Sequence, residues 1–400
     1  MRTIISYFGL ILIGLLLGVS LTLSGKEQQT TANYHNFPLL LDVIKTVEHY
    51  YVDAIDREQL IGAAIEGVFE QLDPYSAFLN QQDMRSIDNN HRGEYFGFGF
   101  EIALEENRIK IVTPFPHSPA ERSGIEAGDT LLGFNGQPME PDDLPQLLEH
   151  IRQASQRNQT IDLTLQHSSQ PKPFSVTLKP ETIKIHSVSS QLLNHNTGYI
   201  RLSHFQENSA TEIMQQLQQW QSQPLNGLIL DLRNNPGGLL EQAVQIADLF
   251  LSKGLIVSTA GRVNEANTRY SATREHLLSN LPIIIMINGG SASASEVLAA
   301  ALQQNQRATL IGQTSFGKGT VQSLIPTLYA GIKVKLTIAK YLTPNGDDIQ
   351  GKGVTPDILF PSKGVSDEDN MLKIKAKSAE SSILQDRMLQ AATHWITQQK

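Results

Sequence analysis

The chain has 400 residues, enough for two or three domains and a sizeable core. Its formal net charge of −8 argues against a general nucleic-acid binder. It has no cysteine, which excludes disulfides, thiolate catalysis and cysteine-based zinc sites, and suits an oxidising compartment. Met1-Arg2-Thr3 is followed by Ile4 to Leu23 without a charge, about the length of one bilayer-crossing helix. A cleaved signal has similar flanks, but no clear A-x-A site precedes Gly25, so residues 1–25 read as an uncleaved anchor. Arg2 favours keeping this end cytoplasmic. That places the chain in the inner (cytoplasmic) membrane as a single-pass protein, with everything beyond Lys26 facing the periplasm or cell exterior.

Residues 26–92 read as a polar tether and a helical region. Leu40, Val43, Ile44 and Val47 keep helical spacing, and Ile61, Ala64, Ile65, Val68 and Phe69 repeat it before Leu72-Asp-Pro-Tyr-Ser76 breaks the pattern. From Gly93 the period moves toward two. Tyr95 to Ile102 predicts a strand behind a glycine-rich loop, and Arg108–Thr113 another. Ser118-Pro-Ala-Glu-Arg-Ser-Gly124 predicts a short helix. Gly128-Asp129, the Asn135-Gly136 turn, an amphipathic helix over Asp142–Gln156 and two further strands complete residues 93–180. This order resembles a PDZ domain. The resemblance implies a peptide C-terminus bound at Phe96-Gly97-Phe98-Gly99, with Leu147 or Ile151 lining the pocket, by a domain that either delivers a substrate tail or gates the active site.

Residues 181–361 alternate strands and helices. Gly227–Leu232 and Leu281–Ile287 are almost wholly apolar, as strands buried on both faces are. The first runs into Asp231-Leu-Arg-Asn-Asn-Pro-Gly237-Gly238, a loop rich in backbone donors ahead of a predicted helix. Asp231 and Arg233 read as a structural ion pair. The second feeds Asn288-Gly-Gly-Ser291-Ala-Ser293-Ala294-Ser295-Glu296 and an Ala/Leu-rich helix, whose N-terminus suits an oxyanion. Lys318 follows between Gly317 and Gly319. A serine nucleophile with a lysine base needs no histidine, provided that the lysine is neutral.

Other readings of these residues stand beside that one. Ser293 to Glu296 also fits a capping box. Gly312 to Lys318 imitates a phosphate loop but has Gly319 where Ser or Thr is needed. Ser315-Phe-Gly-Lys318 matches S-x-x-K, without the S-D-N or K-T-G of the acyltransferases. His186, His195, His204 and His276 sit in no catalytic motif.

Ser-Ala-Ser-Ala-Ser-Glu with Phe316-Gly-Lys-Gly319 resembles the carboxyl-terminal processing proteases, Ser-Lys peptidases with a PDZ domain. Leu72 to Ser76 and Ile349 to Asp357 resemble other segments of that family. The resemblance implies Ser293 as nucleophile, Lys318 as base, Gln322 as its support, and the N–H groups of Gly237 and Ala294 as oxyanion hole. It implies no metal and no cofactor. Lys318 is then expected to be buried, since an amine of ordinary pKa, about 10.4, is charged at pH 7. The fold expected is an α/β catalytic core with an inserted PDZ-like domain, a helical N-terminal segment, one membrane helix and a helical tail over 362–400, in which Ser378–Gln399 is a polar helix packed on the body. Expected partners are protein or peptide substrates with apolar C-termini, the membrane through residues 4–23, a second copy of the chain and an activating adaptor, with no nucleic acid. The competing functions are an anchored PDZ scaffold whose hydrolase domain is inactive, and an acyltransferase using Ser315.

Overall fold

The computed structural model describes residues 37–360, apart from 106, 168–171, 274–280 and 330, together with 386–399. The expected anchor at 4–23 and the first residues of the expected tail lie outside them. Among the described residues no helix is long and apolar enough to cross a membrane. The chain divides into two units, Met1–Pro74 and Tyr75–Lys400.

In the first unit, α1 (Phe37–Tyr50) and α2 (Arg57–Glu70) form a helical hairpin. Asp56 caps α2 by accepting the Glu58 N–H at 3.2 Å, and Arg57 pairs with Glu48. Ile44 is the buried residue of α1, and α2 buries none.

The second unit opens with β1 (Ala77–Leu79), α3 (Gln81–Arg92) and β2 (Glu94–Gly97). The PDZ-like part then runs β3 (Phe100–Glu105), β4 (Arg108–Pro114), α4 (Pro119–Arg122), β5 (Thr130–Phe134), β6 (Gln137–Pro138), α5 (Leu144–Gln156), β7 (Ile161–Gln166) and β8 (Phe174–Leu178). Its sheet has the order β3-β4-β5-β7-β8, which leaves β3 at an edge. Where one strand was expected from Tyr95 to Ile102, the chain forms two. Gly99, at φ +86°, turns it between β2 and β3. β2 pairs instead with β9 (Glu181–Lys184), so the strands entering and leaving the PDZ-like part zip together. That pairing is how the insertion is held.

The catalytic core follows as β10 (Val188–Leu193), β11 (Thr197–Leu202), α6 (Ser209–Trp220), β12 (Gly227–Asp231), α7 (Leu240–Asp248), β13 (Leu255–Gly261), β14 (Arg269–Ser271), β15 (Ile283–Ile287), α8 (Ala294–Gln304), β16 (Thr309–Gly312), β17 (Thr320–Pro326), β18 (Lys333–Leu342), β19 (Ile358–Leu359) and α9 (Arg387–Thr397). Its main sheet has the order β10-β11-β12-β15-β16-β19, parallel from β11 onward. Successive side chains alternate faces as strand geometry requires. Leu228, Leu230, Ile283 and Ile285 pack under α6, α7 and α8, whereas Ile229, Ile284 and Met286 pack against α9. The C-terminal helix packs on the body as expected, but it is amphipathic rather than polar, with Met388, Leu389, Ala392 and Ile396 buried. Among the described residues it is the helix that covers this face of the sheet.

Asp231, fully buried, ends β12 on the α9 side. It accepts hydrogen bonds from the Tyr199 hydroxyl (2.8 Å) and the Arg233 guanidinium (2.6 and 2.9 Å), and Arg233 also reaches Asp386 at the start of α9. Burial alone would raise the Asp231 carboxyl, but the charges and hydrogen bonds of Arg233, with Arg201, hold it below the ordinary value. The structural reading of this pair holds. A depressed folded-state pKa gives stability that is complete above the unfolded value, about 3.9, and is lost as pH falls through the folded one. Thermal unfolding followed from pH 6 downward should show wild type losing Tm steeply below about pH 4. Asp231→Asn should start lower, by about 3–5 kcal/mol, and fall less steeply.

Candidate active site

β15 ends at Ile287 in the middle of the parallel sheet, and the chain turns through residues 288–293 into α8. Crossing from the neighbouring strand, the loop after β12 is stitched to this turn. Asn234 and Asn288 exchange two hydrogen bonds (2.9 and 2.8 Å), and the Ala292 N–H donates to Asn235 O at 2.9 Å. Two of the three serines do the same work. Ser291 Oγ donates to Leu232 O (2.8 Å) and Ser295 Oγ to Asn235 O (2.9 Å), and both side chains are fully buried. Neither has a hydroxyl to spare for chemistry.

Ser293 differs. Its backbone stands at φ 56°, ψ −115°, a region that costs a non-glycine residue of order 1–3 kcal/mol. A sharp strand-to-helix turn carrying a strained serine is how a nucleophile is presented, although Ser293 is itself buried here. The Ala294 N–H opens α8, where helical geometry supplies no acceptor. The Ser293 hydroxyl bonds the buried hydroxyl of Tyr341, whose own pKa is pushed up to about 12 by burial and by the charge of Glu241, with the bond to Ser293 opposing. Tyr341 also donates its N–H to Gly319 O at 2.8 Å, so one residue of β18 is bonded to Ser293 and to the residue that follows Lys318.

Glu296 is more than a helix cap. Its fully buried carboxylate accepts the Ser293 N–H (2.7 Å) and Lys318 N–H (2.8 Å) on one oxygen, and the Gly317 N–H (2.6 Å) and Ser315 Oγ (2.5 Å) on the other. Ser315 in turn accepts the Val354 N–H at 2.7 Å. Ser315, buried and bonded on both sides, is placed as a strut, which removes the geometric basis for an S-x-x-K nucleophile. A Cβ on Gly317 would lie 2.9 Å from the backbone of Lys352 and Gly353, so the 349–353 turn backs this loop closely.

Lys318 is half-buried, not fully enclosed as expected, and its Nζ lies 4.5 Å from the centre of the Tyr75 ring. A ring face in that position favours the ammonium. Gln322 lies on β17 just beyond a bulge between Val321 and Gln322, with Lys318 in the loop ahead of the strand. Its amide nitrogen donates to Thr320 Oγ1 (2.9 Å) and Thr337 Oγ1 (3.3 Å), so only its oxygen is left to serve an amine.

Gly237 lies against the nucleophile: a Cβ there would be 2.9 Å from Ser293 Cβ and 3.0 Å from Ala294 N. Its N–H, however, donates to Asn235 Oδ1 at 2.9 Å. Phe205 N–H donates to Gly237 O and Leu239 N–H to Phe205 O, fixing the flanks of Gly238.

In the PDZ-like part Phe96 is exposed, whereas Phe98 is buried in the core with Leu147 and Ile151. Leu147 and Ile151, expected to line the peptide pocket, are turned inward by the helix toward Phe98. Leu148 is the exposed leucine beside them, and Leu147 borders a separate cavity of about 500 Å3 with Phe134, Met139 and His150. The Phe96 carbonyl accepts the Ser155 hydroxyl at 2.7 Å, which ties the loop to the end of α5.

Sequence reasoning read Glu296 only as a cap and gave Tyr75 and Tyr341 no role. The S-A-S-A-S-E run signalled a carboxylate near the serine, but nothing local announced partners 19 to 22 residues away.

Residues 196–360 match the model of peptidase family S41, and residues 111–164 that of a PDZ domain. A carboxy-terminal-processing protease of Bartonella bacilliformis is 37% identical over 86% of this chain and 80% of its own. The carboxy-terminal processing protease CtpB of Bacillus subtilis is 34% identical over 78% and 65%. Among solved structures, a Bacteroides fragilis protein described as an S41 protease aligns over 90% of this chain and 97% of its own, with TM-score 0.56 and 16% identity, a likeness of fold. Identity of this extent, with both models matched to the two parts that the fold separates, means that the chain belongs to the carboxy-terminal processing proteases, serine-type enzymes of peptidase family S41 with a PDZ domain.

Proposed function

We propose that Ser293 and Lys318 form the catalytic dyad of an endopeptidase that cuts proteins recognised through apolar C-terminal tails. The observation that carries this is the sorting of the serine cluster. Ser291, Ser295 and Ser315 spend their hydroxyls on backbone or carboxylate acceptors, while Ser293 stands in a strained turn whose backbone is tied to that of Lys318. Neutral Lys318 takes the Ser293 proton as the hydroxyl attacks, then gives it to the leaving amine. Entry of a substrate over Tyr75 excludes water and supplies the desolvation that favours the neutral amine. Gln322 Oε1 accepts from the lysine. The tetrahedral oxyanion is held by the Ala294 N–H and by the Gly237-Gly238 turn. With the Gly237 N–H committed to Asn235, the Gly238 N–H is the better second donor.

The PDZ-like domain binds the tail as a strand added to the free edge of β3, with its carboxylate on the Phe96–Gly99 loop. Residues 4–23 anchor the chain, which puts the enzyme on the outer side of the cytoplasmic membrane, facing envelope substrates. Exposed Phe37, Leu39, Leu40, Leu41 and Val43 on α1 favour pairing with a second copy. The test uses the full chain in detergent, with a reporter protein ending in an apolar tail and the same reporter ending in acidic residues. Faster cleavage of the apolar-tailed reporter, by at least about tenfold in kcat/KM, supports the reading. Tail binding without cleavage would favour the scaffold, or an enzyme awaiting its adaptor.

A further inference from the structure

We infer that Glu296 is a positioning residue of the peptidase reaction: its carboxylate sets the distance between the Ser293 turn and the Lys318 loop. The inference rests on the dyad proposed above and adds the part that holds it in register.

A helix cap needs one bond from this side chain, the one to the Ser293 N–H at 2.7 Å. The other three donors come from residues 315–318, which reach Glu296 from beyond β16. One oxygen, Oε2, receives both the Ser293 N–H and the Lys318 N–H, so the backbone nitrogens of nucleophile and base lie no farther apart than two hydrogen bonds. Covalently they are separated by the whole of α8 and β16. Few side-chain placements could couple two distant residues more directly.

The chemistry of the four bonds asks for a carboxylate. Four donors converge, and an ionised carboxylate is an acceptor at every lone pair. Glutamine has the same shape but would turn an NH2 group toward two donors, leaving buried N–H groups opposed. Ser315 extends the chain of bonds: it accepts the Val354 N–H and directs its own proton at Glu296, so the 349–353 turn and the Lys318 loop are braced together. Loosening this brace lets Lys318 drift from Ser293, and a displacement of about 1 Å at reacting groups can cost about a hundredfold in rate.

The experiment compares full-length wild type, Glu296→Gln, Ser315→Ala and Leu217→Ala on the apolar-tailed reporter, with kcat, KM and Tm measured for each. Leu217 is buried under the sheet on α6, outside the 288–296 and 315–318 segments, and serves as a variant that loses stability only. For Glu296→Gln the expected result is kcat down about a hundredfold with KM within about twofold of wild type. Ser315→Ala, which removes one of the four bonds, should lose several-fold in kcat, again at constant KM. Leu217→Ala should lower Tm while the folded enzyme keeps its kcat. If Glu296→Gln keeps kcat within about threefold, or if its loss is matched by Leu217→Ala at equal Tm, the inference is overturned. Should Glu296→Gln fail to fold, Ser315→Ala decides by the same kcat criterion. Failure of the underlying dyad would look different: Ser293→Ala would retain activity whatever Glu296 does.

Discussion

Replacing Ser293 or Lys318 by alanine is expected to lower kcat on a tail-bearing substrate by on the order of 10⁴-fold or more, with KM changed little. The two losses should not add, because a nucleophile without its base and a base without its nucleophile are disabled in the same step. Ser315→Ala is the contrast. Its hydroxyl lies in a buried chain from Val354 to Glu296, so its removal should cost several-fold and leave the reaction running. Both dyad variants should keep the wild-type Tm to within a few degrees: Ser293 occupies strained backbone, and the Lys318 amine stands over a ring face. Steady-state kinetics on the four proteins, with thermal unfolding in parallel, gives the answer. Equal losses in all three variants would point to a shared structural defect. Loss with Ser315→Ala and Lys318→Ala alone would move the nucleophile to Ser315.

The second large effect is expected at Gly237. Its φ of +105° is strained for any L side chain, and a Cβ would stand 2.9 Å from the Ala292 carbonyl and from Ser293 Cβ. These neighbours are the nucleophile and the backbone of its turn, which cannot swing aside as the end of a long side chain can. Gly237→Ala should therefore push the two loops apart and misalign both the serine and the oxyanion donors. A fall in kcat of about 10²–10³-fold is expected. Gly289 is the useful comparison, since an added Cβ meets nothing within 4 Å there. Alanine at Gly289 should leave kcat within about twofold. Similar kinetics for the two variants would mean that the close approach at Gly237 has no catalytic consequence.

Much of the fold was legible because the strands announce themselves. Gly227–Leu232, apart from Asp231, and the run ending at Ile287 are almost wholly apolar, the composition of a strand covered on both faces. The inserted PDZ-like part was legible from its turn chemistry and its amphipathic helix. Less readable were features that depend on distant partners. α3 is mostly polar, and its two apolar residues, Met84 and Ile87, keep helical spacing but are too few to announce a helix. The split between β2 and β3 is made by β9, some 85 residues later, and by the positive φ of Gly99. Leu147 and Ile151 were correctly put on one helix face, but periodicity does not say whether that face meets a groove or a core.

The site followed the same rule. Spacing alone left three serines equivalent; the family resemblance singled out Ser293, and the hydrogen bonds of Ser291 and Ser295 give the physical reason for that choice. Glu296 was hidden because its other donors come from the Lys318 loop. The commitment of the Gly237 N–H to Asn235 likewise depends on a side-chain rotamer that no motif records. A motif names which residues are near the reaction; hydrogen-bond accounting decides which atoms are left free to take part in it.

The central claim is that Ser293 is the nucleophile and Lys318 its base. The most direct measurement is to treat the full-length protein with a fluorophosphonate, a reagent that phosphonylates activated serines with loss of fluoride, and to locate the adduct by peptide mass mapping. The account predicts one adduct, on Ser293, formed at least about a hundredfold more slowly in Lys318→Ala. An adduct on Ser291, Ser295 or Ser315, or labelling of Ser293 at the same rate without Lys318, would contradict it.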